Sequence, residues 1–217
     1  MLEQEYHAST RRSVLVIAAG VVLTLIAAYL FTTLGMRDAA LFQTVDAVTR
    51  YFDGTLDGGA DAAMNKIILL LRLPRVLLAI IAGAGLALAG ALMQSVTRNY
   101  LVSPFTLGIS SAAALGASLC IVIAAGTALD SDLGIITSAF LLSCACGLIV
   151  YGIAQRSGLS PTTIVLVGIA LNYFFSALTA TLEFFAQEHK LAAVIQWTFG
   201  SLHRASWEYV AIGGVIV

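Results

Sequence analysis

Charge is what this sequence has least of. Of its 217 residues 11% are Asp, Glu, Lys or Arg, against 59% apolar, and the mean hydropathy is +0.95. A soluble domain carries about a quarter charged residues, so this is a membrane composition. The net charge of −1 offers nothing to a nucleic acid. Cysteine is scarce too: Cys120, Cys144 and Cys146 all fall in apolar runs, and two residues apart on a helix Cys144 and Cys146 point to different sides. They read as small helix- or lipid-facing residues, not as a disulfide framework. No G-x-x-x-x-G-K-[ST] loop is present, so the chain does not hydrolyse ATP by that route. His7, His189 and His203 are scattered, and Glu188-His189 has no second cluster at ligand spacing, so no metal site is expected. No catalytic constellation appears.

What is present is long apolar runs. A bilayer core needs about 20 apolar residues per helix, and five stretches qualify: Ser13–Leu34, Val76–Val96, Phe105–Ala125, Leu133–Ala154 and Thr162–Leu182. A secretory signal has an apolar core of about 7–15 residues, shorter than Ser13–Leu34, which therefore reads as a retained helix. A sixth run starts near Trp207 and reaches Val217, too short to cross, and is expected to be a span that continues further. The fold class is all-α: a polytopic transmembrane helical bundle, residues 1–217 forming a single transmembrane domain that is incomplete at its C-terminal side. Ser103-Pro104 and Ser160-Pro161 each precede a span, Ser fitting the N-cap and Pro the first helical position. Pro74 sits similarly ahead of the second span.

Arg11 and Arg12 before the first span argue for a cytoplasmic N-terminus. Alternation then adds Arg98 and Arg156 inside, four basic residues, and leaves seven outside: Arg37, Arg50, Lys66, Arg72, Arg75, Lys190 and Arg204. The raw count opposes the positive-inside rule, although some of the seven lie in a loop of about 40 residues between the first two spans, where the rule is weaker. In that loop Leu41–Phe52 has apolar residues near helical spacing and reads as a short surface helix, and Asp53–Asp61 as a flexible turn. Small residues at four-residue spacing, Gly83/Ala87/Ala91, Gly85/Ala89 and Gly108/Ala112/Gly116, let helix backbones approach closely.

None of the five runs contains an ionisable Asp, Glu, Lys, Arg or His. An ion-coupled carrier or pump usually needs such groups within the membrane. A charge-free bundle without an ATPase fits a passive core driven by a separate nucleotide-binding subunit; it equally fits a channel or a structural membrane protein.

The stretch Leu71–Gly116 is more specific. It holds L-R-L-P-R at Leu71–Arg75, a G-x-x-x-Q at Gly90–Gln94, R-N-Y-L-V-S-P at Arg98–Pro104 and L-G at Leu107-Gly108. Farther on come L-S-P-T-T-I-V-L-V-G, ending at Gly168, and a segment with Trp197, Gly200, Ser201 and Trp207. In this order the motifs resemble the FecCD-type permeases, over about residues 65–210, with Tyr100 replacing the family's proline after R-N. The resemblance implies a membrane-spanning permease subunit of an ABC importer for a chelated-metal nutrient: an iron–siderophore first, then haem or cobalamin. It implies about ten spans in the family fold, a bacterial or archaeal cytoplasmic (inner) membrane, and three kinds of partner: a cytoplasmic ABC ATPase dimer that uses the ATP, an extracytoplasmic substrate-binding protein, and a second permease subunit, identical or paralogous. No cofactor is expected on this chain itself. A non-transporting membrane scaffold and an ion-coupled carrier are the alternatives from other classes.

Carried over residue by residue, the resemblance places Arg72 and Arg75 at the outer mouth of span two, where they would meet acidic residues of the binding protein; snorkelling to lipid headgroups is the plainer account. Arg98, Asn99, Tyr100 and Leu101, with Ser160 and Thr162, would narrow the cytoplasmic exit as gate loops, against ordinary turn and cap chemistry. Span five would line the pathway with Asn172, Ser176 and Thr179, against simple helix–helix hydrogen bonding.

Overall fold

In a computed structural model, residues 2–33, 43–53, 62–124 and 131–217 are described, and among them the regular structure is helical throughout. The helices are α1 (Leu2–Thr33), α2 (Gln43–Phe52), α3 (Ala62–Ile67), α4 (Leu73–Thr97), α5 (Ile109–Ile123), α6 (Asp132–Arg156), α7 (Pro161–Phe185), α8 (Glu188–Phe199) and α9 (Trp207–Ile216). Among the described residues four stretches are long and apolar enough to cross a membrane: Thr10–Thr33, Ala62–Thr97, Asp132–Arg156 and Pro161–Phe185. Their outward faces carry exposed Val, Leu, Ile and Phe, as helices facing hydrocarbon must. The surface helix expected at Leu41–Phe52 is present as α2, held by an Arg50–Asp46 pair one turn apart. Leu41, Phe42 and all of the expected turn except Asp53 lie outside the described residues.

The third expected span is not one helix. Pro104–Leu107 forms a single 3₁₀ turn, Gly108 takes a left-handed φ of 76°, and only then does α5 begin. Fifteen residues rise about 22 Å, short of the ~30 Å core, so four helices reach spanning length where five were expected. The cause is a backbone contact at Gly108, described below. Span two departs the other way. The helix runs through Pro74 without a break, from Ala62 to Thr97, by widening into a π-helical turn at Ile68–Arg72. The Leu73 N–H then reaches back five residues to Ile68 O, which lets the chain accept a proline that has no N–H of its own.

The chain divides into two compact units, Met1–Ala84 with Leu202–Val217, and Gly85–Ser201. In the first, Ala47, Ile68 and Leu69 form a small core under α2 and α3. α9 lies close against α4: a methyl at Gly213 would sit 3.2 Å from Ile81 Cγ2. In the second, α5 is the central element, packed on α6, α7 and α8 around Leu107, Ala112, Leu115, Cys146, Val150 and Phe175. Here the small-residue reading holds for one stripe. Ala112 is fully buried, and a methyl on Gly116 would meet Ser138 O at 2.6 Å. By contrast Gly83 has open space where a side chain would go.

Candidate functional site

Two clusters gather the residues singled out by sequence, one in each unit. The first forms where α1 ends. A helix leaves its last four carbonyls without intrahelical donors, and that end carries partial negative charge. Arg72 Nη1 donates to two of them, Thr32 O at 3.0 Å and Thr33 O at 2.9 Å. Both threonines are buried, and their hydroxyls turn back onto their own helix. Arg75 Nη2 donates to His203 O at 3.1 Å and lies 3.3 Å from His203 Nδ1. A fourth bond completes the cluster. The Leu69 carbonyl loses its α-helical donor because the Leu73 N–H goes to Ile68, and its π-helical donor would have been Pro74. Trp207 Nε1 fills the vacancy at 3.0 Å. The L-R-L-P-R motif and the Trp207 end of the tryptophan segment are thereby tied together.

Arg72 and Arg75 share a side. Both border one apolar groove of about 1150 Å³ in the first unit. Each guanidinium is nevertheless partly engaged inside the chain, which neither docking nor snorkelling anticipated.

The second cluster holds the two loops. Gln94 Nε2 donates to Tyr100 O at 3.0 Å, and Asn99 Oδ1 accepts from Leu101 N at 3.0 Å. The G-x-x-x-Q glutamine thus braces the R-N loop, and the asparagine shapes it as an Asx turn. The tip is bare: Tyr100 is 90% and Leu101 89% exposed. Arg98 (φ 50°) and Leu159 (φ 57°) are left-handed at non-glycine positions, costly for L-residues. Leu159 N donates to Ala154 O at 2.8 Å, closing the end of α6. Ser103 and Ser160 stand at N-cap positions with proline following, but neither side chain makes a capping bond; Ser131, ahead of α6, does. The expected Ser cap chemistry is therefore absent at both sites, where Pro supplies the helix start. Thr162 is exposed in the first turn of α7, and among the described residues no hydrogen bond joins one loop to the other.

Below the loops the L-G turn is seated on α7. A methyl at Gly108 would lie 2.9 Å from Asn172 N and 3.1 Å from Gly168 O; one at Gly168 would lie 2.8 Å from both Leu107 Cα and Thr106 O. Backbone meets backbone, which only glycine permits on both sides. Ser138 Oγ to Gly116 O (2.7 Å), Ser143 Oγ to Ile109 O (3.3 Å) and Cys146 Sγ to Leu107 O (3.5 Å) tie α6 to the same strip. The proposed lining residues divide. Asn172 is half-buried beside Gly108, Ser176 is exposed, and Thr179 is buried with its hydroxyl on Phe175 O at 3.0 Å. At the other end of α5, Lys190 Nζ donates to Val122 O at 2.8 Å, a cap at a helix C-terminus like that of Arg72. Sequence reasoning counted Lys190 among the outer charges and Gly168 and Trp207 as motif positions, and gave none of the three a contact. Pro74 five residues after Leu69 was the signal for the last.

Among the described residues no three His, Cys, Asp or Glu side chains gather as metal ligands would.

Comparison with known proteins places the chain among transport permeases by similarity. The FecCD transport family matches residues 21–217. The Fe(3+)-citrate import system permease protein of Bacillus subtilis is 31% identical over 208 residues, 94% of this chain and 58% of its own length. The molybdate import system permease protein of Haemophilus influenzae is 35% identical over 153 residues, 68% of this chain and 43% of its own. An ABC transporter assigned to the metal-chelate type, solved in an inward-facing conformation, superposes with a TM-score of 0.72 at 28% identity, covering 90% of this chain and 56% of that one. The chain spans about half the length of the curated relatives it matches. With that match over residues 21–217, the chain belongs to the FecCD transport family.

Proposed function

We infer that the chain forms part of the membrane-spanning permease of an ABC importer, carrying an iron chelate of the siderophore class and driven by a separate ATPase. The observation that carries this reading is the superposition on the metal-chelate type transporter across 90% of the chain. The iron-citrate and molybdate relatives bracket the cargo: a metal held inside a larger anion or chelate. A wall without ionisable groups suits such a cargo, which needs passage and not tight binding.

In this reading the protein lies in the cytoplasmic (inner) membrane with its N-terminus inside. A cytoplasmic ATPase dimer, an extracytoplasmic binding protein and a second permease subunit complete it. Arg72 and Arg75 face acidic residues of the binding protein. The bare tip Tyr100-Leu101, braced by Arg98, Asn99 and Gln94, forms the inner gate with Ser160 and Thr162. Asn172 and Ser176 line the passage, and Thr179 stiffens the wall behind them.

The test is uptake in proteoliposomes containing the whole permease, its ATPase and its binding protein. Accumulation of a ferric siderophore that needs internal ATP is the expected result. Accumulation driven by a proton gradient without ATP would establish an ion-coupled carrier instead. No uptake of ferric chelate, haem, cobalamin or molybdate under either condition would leave the scaffold reading standing.

A further inference from the structure

α3 and α4 run as one helix from Ala62 to Thr97, interrupted by the π turn at Ile68–Arg72. Such turns inside α-helices are frequent at functional sites, and this one has two ways to pair its carbonyls. In the observed way the Leu73 N–H donates to Ile68 O. In the ordinary α-helical way it would donate to Leu69 O, and the Pro74 ring would press on the carbonyl four residues back, that of Leu70. The π turn avoids this collision but leaves Leu69 O without a main-chain donor, where Leu69 and Pro74 are both buried. A proline collision and a buried carbonyl without a donor cost similar amounts, so the backbone alone holds neither pairing firmly. Trp207 Nε1 breaks the tie: its bond to Leu69 O at 3.0 Å satisfies a carbonyl that only the π pairing leaves open.

The two pairings differ by one residue of register. Returning the turn to α would rotate α3 by about 100° against α4, the step of one residue. Each place in α3 would then pass from residue i to residue i+1. Asn65 is fully buried, and neither polar atom of its side chain has a hydrogen-bond partner. Rotation would free that amide, a gain, and bring Lys66, now exposed, into its place, a cost.

We propose that Trp207 is the latch of a register switch in this helix. With the indole on Leu69 O the turn is π and Asn65 is packed in. When α9 moves away, the turn becomes α, Pro74 kinks the helix and α3 rotates by one residue. The switch couples the position of α9 to the face that α3 presents. All of its parts lie in the first unit, and it does not rest on the transport reading.

Cysteine reactivity in the whole protein tests it, with maleimide labelling at each site read by mass spectrometry. One chain carries Lys66→Cys; the other carries Asn65→Cys with Lys66→Ala, so that no charge has to enter the core. With Trp207 intact, position 66 should react faster than position 65. Trp207→Phe keeps an aromatic ring and removes the N–H. It should raise the rate at position 65 about tenfold, a factor within what one unsatisfied carbonyl is worth, and lower the rate at position 66. Pro74→Ala, which removes the collision that opposes the α pairing, should give the same opposite changes with Trp207 in place. Rates that rise together at both positions, as in local unfolding, would overturn the proposal, as would rates that neither variant moves.

Discussion

Replacing three glycines by alanine separates a torsional cost from a steric one in the second unit. Gly158 has φ 68° with nothing near its missing side chain, so Gly158→Ala carries only the left-handed cost of an L-residue, about 1–2 kcal/mol. Gly168 has no such φ, but its new methyl would press on Leu107 Cα and Thr106 O at 2.8 Å. Overpacking of that kind costs about 1–3 kcal/mol, offset by about 0.5–1 kcal/mol because alanine prefers a helix. Gly108 combines both: φ 76°, with Asn172 N at 2.9 Å and Gly168 O at 3.1 Å. Gly108→Ala should therefore exceed Gly158→Ala by the steric part, about 1–3 kcal/mol. Since Gly108 and Gly168 share one contact, the double variant should cost less than the two singles added. Unfolding by SDS in mixed micelles, followed by tryptophan fluorescence, gives the comparison. Equal losses for Gly108→Ala and Gly158→Ala would refute the backbone seat of the L-G turn on α7.

Leu159→Gly should stabilise the second unit by about 1 kcal/mol, because glycine accepts φ 57° without the penalty leucine bears there; the same SDS titration reads it, and a loss of stability would show that the leucine side chain outweighs its torsion. Arg72→Gln and Lys190→Gln should each expose a helix C-terminus. Removing Arg72 orphans two carbonyls and removing Lys190 one, at about 1–3 kcal/mol for each group left unsatisfied. Hydrogen exchange should rise first in the last turn of α1 in the former and of α5 in the latter, and uniform exchange across both units would contradict the capping role.

The all-α class and four of the five expected spans were legible because an apolar run of bilayer length usually folds as one helix. What was not legible came from contacts between distant segments. Phe105–Ala125 reads as one run because hydropathy is blind to a left-handed glycine. Gly108 is singled out only once Gly168, sixty residues on, is known to lie against it. Pro74 read as a helix boundary, yet a π-turn absorbed it and left Leu69 O for Trp207, a bond 138 residues apart in sequence. The serines before Pro104 and Pro161 read as caps by residue type, and their side chains proved unused there. Of the lining trio, helical spacing could place Asn172, Ser176 and Thr179 on one arc; only packing shows that the core edge falls between Thr179 and Ser176.

Two signals in the sequence oppose each other on orientation: seven basic residues are assigned outside against four inside, while Arg11-Arg12 stand directly before the first span and argue for an inside N-terminus. Single cysteines at Asp53 and Asn99, both exposed, decide it. In sealed cells an impermeant maleimide should label Asp53→Cys and spare Asn99→Cys until the membrane is opened, with the unsubstituted chain as the blank for its own three cysteines. The opposite pattern would invert the whole topology and move the Tyr100-Leu101 tip, with any gating role, to the outer face.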